Sequence, residues 1–598
     1  MPAPILSRSI PVAPIPPIFA SNAITSAQTS PAVDGMAVRS FLPQGAALPG
    51  LPAGLTTSTL SATTPGRSFE PAARVDITSY VTGARNQTVN HPERKRDINP
   101  YIPGNSVKML AHAANINETH AGIISWLKET EYFTAENIDA LIANPGVQHP
   151  WEVNNPVISQ PIATDLRETI RGAKETLFVD IFLMGGTWGM DIAKELLLAS
   201  ERGVKVVLVR DTDNKFSSGF EMEPLWDALE AHSYDNPNLT VMRSQINKRP
   251  SGLPFGLDNI TKLFAQFFDL PLSLAAKSDH SKVVIADGLT AKPSMWVGSK
   301  NTVDSGGSFF FDEVFHIDGP AAAASQLSFL EDIREARVLA VKEGRNGGQP
   351  SDAWVDGLIG RMERRKSGLE RTVVHVAGDA SVQIVENNAD DSVRNAESSI
   401  LALLEGAETS IDMYQFLAYS PSIAEALARA IHRGVEVRIL MDSVGKKVEM
   451  NNLLAVLMNE HGVSQSQIDS MIRWRSQLPG GSQIDEGVEN PIEEQQQHTK
   501  TIIVDGKRTL AGSTNFDIAS LSGAFREFSV TVEDEAAATI ATERFEALFN
   551  SAVNSRPYDT EFQEPLSFWG WIARIAARNI LVSEAWRIGS LRPGSLFG

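Results

Sequence analysis

An internal repeat constrains this chain more than any other feature. The run from Arg202 to Asp211 (RGVKVVLVRD) is echoed by the run from Arg433 to Asp442 (RGVEVRILMD), 231 positions later. Arg243-Ser244-Gln245 and Val179-Asp180-Ile181-Phe182 find counterparts in Arg475-Ser476-Gln477 and Ile411-Asp412-Met413-Tyr414, both at a step of 232. Each copy reads as apolar strand, amphipathic helix, Gly turn and apolar strand, for example Leu177 to Met184, Ile192 to Glu201 and Val204 to Val209. Strands alternating with helices predict an α/β fold of two duplicated lobes, each a mostly parallel mixed sheet flanked by helices. Right-handed crossovers then gather the loops at strand ends along one rim.

Two short runs inside the repeat carry the chemistry. One is His280-Ser281-Lys282-Val283-Val284-Ile285-Ala286-Asp287 and the other His498-Thr499-Lys500-Thr501-Ile502-Ile503-Val504-Asp505, both of the form His-x-Lys-x-x-x-x-Asp. The segments are β-branched and end at Asp-Gly, so they read as buried strands. Strand periodicity puts His and Lys on one face, where both can reach a single phosphate. One such match arises by chance on the order of 0.03 times in a chain with this many His residues. Two in register with a repeat do not.

Further residues follow each run in the same order. Gly298-Ser299-Lys300-Asn301 and Phe311-Asp312-Glu313 trail the first; Gly512-Ser513-Thr514-Asn515 and Phe525-Arg526-Glu527 trail the second. The spacing from His to Asn is 21 residues in the first half and 17 in the second, which predicts a longer hairpin in the first. In these residues the chain resembles the phospholipase D superfamily, over about two thirds of its length.

The resemblance implies a phosphodiesterase mechanism. One His attacks phosphorus to give a covalent phosphohistidine, and the other protonates the leaving oxygen and later activates water or an alcohol. Lys282, Lys500, Asn301 and Asn515 would hold the non-bridging oxygens. Glu313 and Glu527 would orient and charge the histidines. Ser299 and Ser513 would bind phosphate or a loop, and Asp287 and Asp505 are structural ends of the motif strands. His280 is favoured as nucleophile and His498 as acid and base. No cofactor or metal is required for this chemistry; an activating divalent ion is left open.

The flanks divide the chain further. Residues 1–95 read as a disordered leader, because the stretch to about Ser68 is rich in Pro, Ala, Ser and Thr with Asp34 its only acid. Residues 96–150 read as a small helical cap, from apolar residues at helical spacing such as Val107, Leu110 and Ala111, then Ile123, Ile124, Trp126 and Leu127. The first lobe with a linker helix takes 151–370, the second lobe 371–553, and 554–598 form an amphipathic tail.

Three features favour a phospholipid substrate. An apolar insertion from Leu253 to Leu272 precedes the first motif, either as an acyl-chain wall or as a core helix. The stretch from Phe568 to Ile588 mixes Trp569, Trp571 and Trp586 with Arg574, Arg578 and Arg587, as a helix lying in a membrane interface does, or one packed back on the lobe. The net charge of -19 disfavours broad nucleic-acid binding. The sequence therefore predicts a phospholipase D hydrolysing head-group phosphodiesters, with peripheral membrane contact. The alternatives are a phosphatidyltransferase of the cardiolipin synthase type, a nuclease of the same superfamily, and a non-enzymatic secreted binding module. Both halves of the site lie in one chain, so no oligomer is required. The acid-poor leader, the lack of any Cys and the tail suggest a secreted or translocated bacterial effector; a cytoplasmic enzyme is the alternative.

Overall fold

The computed structural model describes residues 73–82, 87–90, 95–111, 126, 131–210, 222–244, 278–304, 310–342, 350–387, 395–443, 447–475, 497–517, 520–521, 525–552 and 554–558. The export-like leader up to residue 72, the apolar insertion at Leu253–Leu272 and the Trp- and Arg-rich stretch from Phe568 lie outside them. Among the described residues no helix is long and apolar enough to cross a membrane.

The strands run in chain order as β1 Arg74–Asp76, β2 Gln87–Asn90, β3 Lys95–Ile98, β4 Ile102–Ala111, β5 Thr176–Ile181, β6 Lys205–Arg210, β7 Leu239–Arg243, β8 Ser278–Asp279, β9 Lys282–Ala286 and β10 Ser294–Gly298. They continue with β11 Glu313–Asp318, β12 Val373–His375, β13 Ala380–Asn387, β14 Ser410–Gln415, β15 Glu436–Met441, β16 Ile472–Arg475, β17 Lys500–Val504, β18 Arg508–Gly512, β19 Phe525–Glu533 and β20 Ser555–Pro557. Sixteen of them form one sheet. Its order is β20-β16-β15-β14-β17-β18-β19-β13-β4-β11-β10-β9-β5-β6-β7, with β8 paired to β19. Apart from β20, which is added at one edge, the order read inward from β16 matches that read inward from β7, so the duplication predicted from the repeat is a duplication of topology. The hairpin between β9 and β10 spans residues 287–293, against 505–507 between β17 and β18, which accounts for the longer His-to-Asn spacing of the first half.

The sheet is mixed, but its parallel share is smaller than the expectation of a mostly parallel sheet. Parallel pairs are confined to β5-β6-β7, β14-β15-β16 and the short β8-β19 contact. The His-Lys strands β9 and β17 pair antiparallel with both neighbours. The reason is the connections: crossover helices such as Gly186–Glu201 and Pro421–His432 join only the strands that precede each motif, and hairpins join the strands that follow.

Three predicted boundaries are corrected. The leader does not extend to residue 95, since β1 pairs with β12 and Ile77, fully buried, donates its N–H to Thr372 O at 2.8 Å. Burying that side chain contributes roughly 2 kcal/mol, and a composition averaged over the whole leader conceals it. The cap is not helical throughout, because Val107, Leu110 and Ala111 lie on β4, the strand that joins the lobes by pairing with β11 and β13. Met109 and Leu110 are buried on opposite faces of this central strand, and such two-sided burial imitates helical spacing. Among the described residues the cap contains the helix Ala135–Ala143, whose first turn is capped by the Thr134 hydroxyl; Ile123, Ile124 and Leu127 lie outside them. The tail begins later than 554, as β20 pairs with β16.

Packing follows the sheet. On one face, residues of both lobes such as Phe178, Val283, Tyr414 and Ile503 share a core with helices Pro320–Ser328, Leu330–Lys342 and Glu535–Phe549. On the other face each lobe has its own core, centred on Val179, Leu208 and Val284 in the first and on Met413, Ile439 and Ile502 in the second. A shared core on one side clamps the lobes together, so groups at the lobe boundary are held rigidly.

Candidate active site

Each motif is positioned by the opposite lobe. His280 follows β8 and donates its backbone N–H to Arg526 O on β19 at 2.9 Å. His498 donates to Phe311 O at 3.0 Å, beside a bridge between Gln497 and Phe311. The two His-Lys strands thus lead out of contacts made across the lobe boundary, and both histidines are buried, with 8% and 5% exposed.

Their imidazoles are oriented across the same boundary. Nδ1 of His280 lies 3.1 Å from both carboxylate oxygens of Glu527, and Nδ1 of His498 lies 2.8 Å from Oδ1 of Asp312. A carboxylate on Nδ1 fixes the tautomer and leaves the lone pair of a neutral ring on Nε2. Each ring is also walled by aromatics, Phe182 and Phe525 for His280 and Phe416 and Phe310 for His498.

Of the two glutamates, Glu527 meets a histidine and Glu313 does not. Glu313 is fully buried, accepts the Thr501 hydroxyl at 2.7 Å and pairs with Arg544 at 3.6 Å; its side chain does not meet a histidine. Backbone register explains the error. Gly298 faces Val314 and Gly512 faces Ser529, so Asp312 corresponds to Glu527 and Glu313 to Phe528. The matching pattern is Phe310-x-Asp312 with Phe525-x-Glu527, legible only if Asp is allowed in place of Glu. The Val179 and Ile411 strands are likewise offset by 234, because Ile181 faces Lys282 as Gln415 faces Lys500.

Ser299 and Ser513 are corrected too. Ser299 donates to Asp312 and Ser513 to Glu527, each at 2.5 Å, and both are buried at 1% or less. They hold the carboxylates and do not present their hydroxyls to a phosphate. The preceding glycines make this contact possible: a Cβ on Gly298 would stand 2.4 Å from Glu313 O, and one on Gly512 2.3 Å from Ser529 Cα.

Lys282 and Lys500 each donate back to the carbonyl of their own histidine and lie over Phe182 and Phe416. Asn301 and Asn515 are buried, and the Oδ1 of each has no hydrogen-bond partner among the described residues. Asp287 and Asp505 turn the chain at φ 54° and 55°, and each accepts three backbone N–H groups at the start of the neighbouring strand, Lys174 to Thr176 or Glu408 to Ser410. Asp tolerates this left-handed turn, and its carboxylate closes it.

One electrostatic field covers both motifs. Burial lowers the proton affinity of both histidines, and Lys282 and Lys500 both lower each of them further. Burial brings Lys282 down to about 8. The two carboxylates differ. Burial pushes Asp312 upward, but His498 and Lys300 overcome it and hold Asp312 well below the usual range. Burial raises Glu527 to about 7 against Lys282 and the Ser513 hydrogen bond. The buried Lys300, 3.3 Å from Asp312 and donating to Phe310 O at 2.8 Å, has no cationic counterpart, because Thr514 stands there and bonds Ser529 instead.

Residues 400–549 match the family model described as the cardiolipin synthase, PLD-like domain. Cardiolipin synthase A of Erwinia tasmaniensis is 24% identical over 354 residues, covering 58% of this chain and 58% of that protein. The chain thus spans 58% of the length of the curated relative it matches. Among solved structures, a phospholipase D family member, Nuc from Salmonella typhimurium, is 25% identical over 30% of this chain and 99% of its own, with a TM-score of 0.23. Phosphatidylserine synthase of Haemophilus influenzae is 14% identical over 71% of this chain and 92% of its own, with a TM-score of 0.43.

Two His-Lys-Asp motifs thus stand on duplicated lobes, each histidine held by an acid from the other lobe. Residues 400–549 match a PLD-like domain, and with its duplicated motifs the chain resembles the phospholipase D superfamily. Among its described residues no group of three or more His, Asp or Glu could hold a metal ion.

Proposed function

We propose that the chain is a phosphatidyltransferase of the cardiolipin synthase type, moving a phosphatidyl group from one phospholipid to an alcohol. The observation that carries this reading is the match of residues 400–549 to the cardiolipin synthase PLD-like domain, on a lobe that supplies His498, Lys500 and Glu527. It replaces the hydrolase reading as the leading one, since the curated relative is also a cardiolipin synthase.

The geometry supports a double displacement. His280 attacks phosphorus through Nε2, and the P–O bond to the leaving alcohol breaks as His498 gives that oxygen its proton. His498, now neutral, takes the proton of the acceptor hydroxyl as the hydroxyl oxygen attacks the phosphohistidine, and the P–N bond breaks to restore His280. The assignment of roles rests on the acids. Asp312, held ionised by Lys300, favours an imidazolium at His498, whereas the more readily protonated Glu527 favours a neutral ring at His280. An anionic phosphodiester between Lys282 and Lys500 offsets their depression of both rings. The two ammonium groups, with Asn301 and Asn515, hold the non-bridging oxygens, and the reading requires no cofactor.

The test is incubation of the protein with phosphatidylglycerol vesicles, with cardiolipin and phosphatidic acid quantified. Wild type is expected to form cardiolipin, and His280→Ala and His498→Ala to lose at least about 1,000-fold. Phosphatidic acid without cardiolipin would return the protein to the hydrolases.

A further inference from the structure

The second lobe holds a pair of side chains that the mechanism above leaves unused. Gln415, on β14, lies directly opposite Lys500 on β17, so both side chains leave the same face of the sheet as neighbours. Gln497 immediately precedes His498. The backbone N–H of Gln497 donates to Asp442 Oδ1 at 2.9 Å, and that of Asp442 donates to Gln415 O at 2.9 Å. The three residues therefore form one cluster beside the motif.

Gln415 and Gln497 are both 0% exposed, and neither the amide oxygen nor the amide nitrogen of either has a hydrogen-bond partner among the described residues. A buried amide left in this state is destabilising, and an apolar side chain of similar size removes the cost. The first lobe shows that alternative. Ile181 occupies the register position of Gln415 and belongs to the apolar core, while Asp279 occupies that of Gln497 and lies in the field of Arg526. The enclosure is that of the reacting site itself, as Lys500 is equally buried.

We infer that Gln415 and Gln497, with Asp442 beside them, form a binding pocket for the acceptor alcohol, a neutral polyol such as a glycerol headgroup. The inference rests on the transfer reading above. Each amide offers a donor and an acceptor, the pair of functions that a hydroxyl group matches. Asp442 interacts electrostatically with the buried guanidinium of Arg475, so the pocket holds no uncompensated charge that would select an ammonium or a carboxylate. His498, which takes the acceptor's proton, lies one residue from Gln497. The pocket thus decides whether a polyol or water meets the phosphohistidine.

The experiment uses the full chain, phosphatidylglycerol vesicles and isotopically labelled glycerol, and reads the ratio of labelled phosphatidylglycerol to phosphatidic acid. Gln415→Ile, which copies the first lobe, and Gln497→Leu are expected to lower that ratio at least tenfold without lowering the melting temperature. An unchanged ratio, or a fall in melting temperature showing that the amides are structural, would overturn the pocket. Bis(p-nitrophenyl) phosphate serves as a donor in parallel. If wild type leaves the vesicles untouched, the lipid reading fails, and partition of this donor between glycerol and water still decides the pocket. A wild-type preference for glycerol that the variants lose supports it; water products alone, or a preference the variants keep, sink it.

Discussion

The two halves of the active site are the same parts with one changed charge. In one, Asp312 holds His498 and is itself held by Ser299 and Lys300; in the other, Glu527 holds His280 and is held by Ser513, with Thr514 in place of the lysine. Duplication alone would supply two equivalent histidines, whereas the proposed transfer needs one neutral and one protonated ring at the same moment. The buried Lys300 ammonium, together with His498, separates the two carboxylates, because a charge in a low-dielectric interior acts strongly over 3–4 Å. Asp312 is depressed and Glu527 is raised although both are fully enclosed.

Neutralising the two acids in turn tests this asymmetry most severely. Asp312→Asn is expected to reduce kcat by roughly 100-fold or more, because it removes a full charge from the ring that must become imidazolium. Glu527→Gln at pH 7 should cost only about tenfold, since a carboxyl raised to about 7 is already half protonated there. Equal losses in steady-state kinetics would remove the basis for assigning His280 as nucleophile.

Lys300→Thr copies the second half into the first. It leaves Asp312 buried with one cation fewer, and is expected to destabilise the protein by about 3 kcal/mol in urea unfolding. The reverse change, Thr514→Lys, brings a cation towards Glu527 and should lower its titration. A Lys300→Thr variant with unaltered stability would mean that Asp312 is satisfied by Ser299 and His498 alone.

The smallest effect separates the lobes by pH. His316 on β11 lies 2.9 Å from Asp165 and 3.4 Å from Asp318, with Ser294 at 2.9 Å and Lys108 paired to the same Asp165; its counterpart in the second half is Thr531. Burial alone would lower His316, but these acids raise it to about 9 from 6.5. A raised folded value stabilises fully below pH 6.5 and is lost as pH climbs through 9. Wild type should therefore lose on the order of 1 kcal/mol between pH 6.5 and 9 that His316→Gln does not. Parallel stability curves for the two would show that the ion pairs contribute nothing.

Much of this was legible in the sequence, and the limits are instructive. The repeat, both motifs and the longer first hairpin follow from residue order alone, because strand periodicity and Gly turns are local properties. Asp312 was missed because Phe311-x-Glu313 imitates Phe525-x-Glu527 one residue out of register, and only the pairing of Gly298 with Val314 and Gly512 with Ser529 reveals the slip. In the sequence Ser299 reads equally as a phosphate or a loop ligand, because a hydroxyl carries no mark of what it faces. β4 was read as part of a helical cap because a strand buried on both faces lacks alternation, and its place between the lobes depends on partners two hundred residues away.

By itself the sequence pointed to the class of chemistry: one histidine and one lysine, spaced for one sheet face and present twice, suit a phosphoryl site in any fold that brings the copies together. Tertiary structure alone decided which acid serves which histidine. Each carboxylate comes from the opposite lobe, and its charge state depends on burial and on Lys300, quantities that exist only once the two lobes share a sheet.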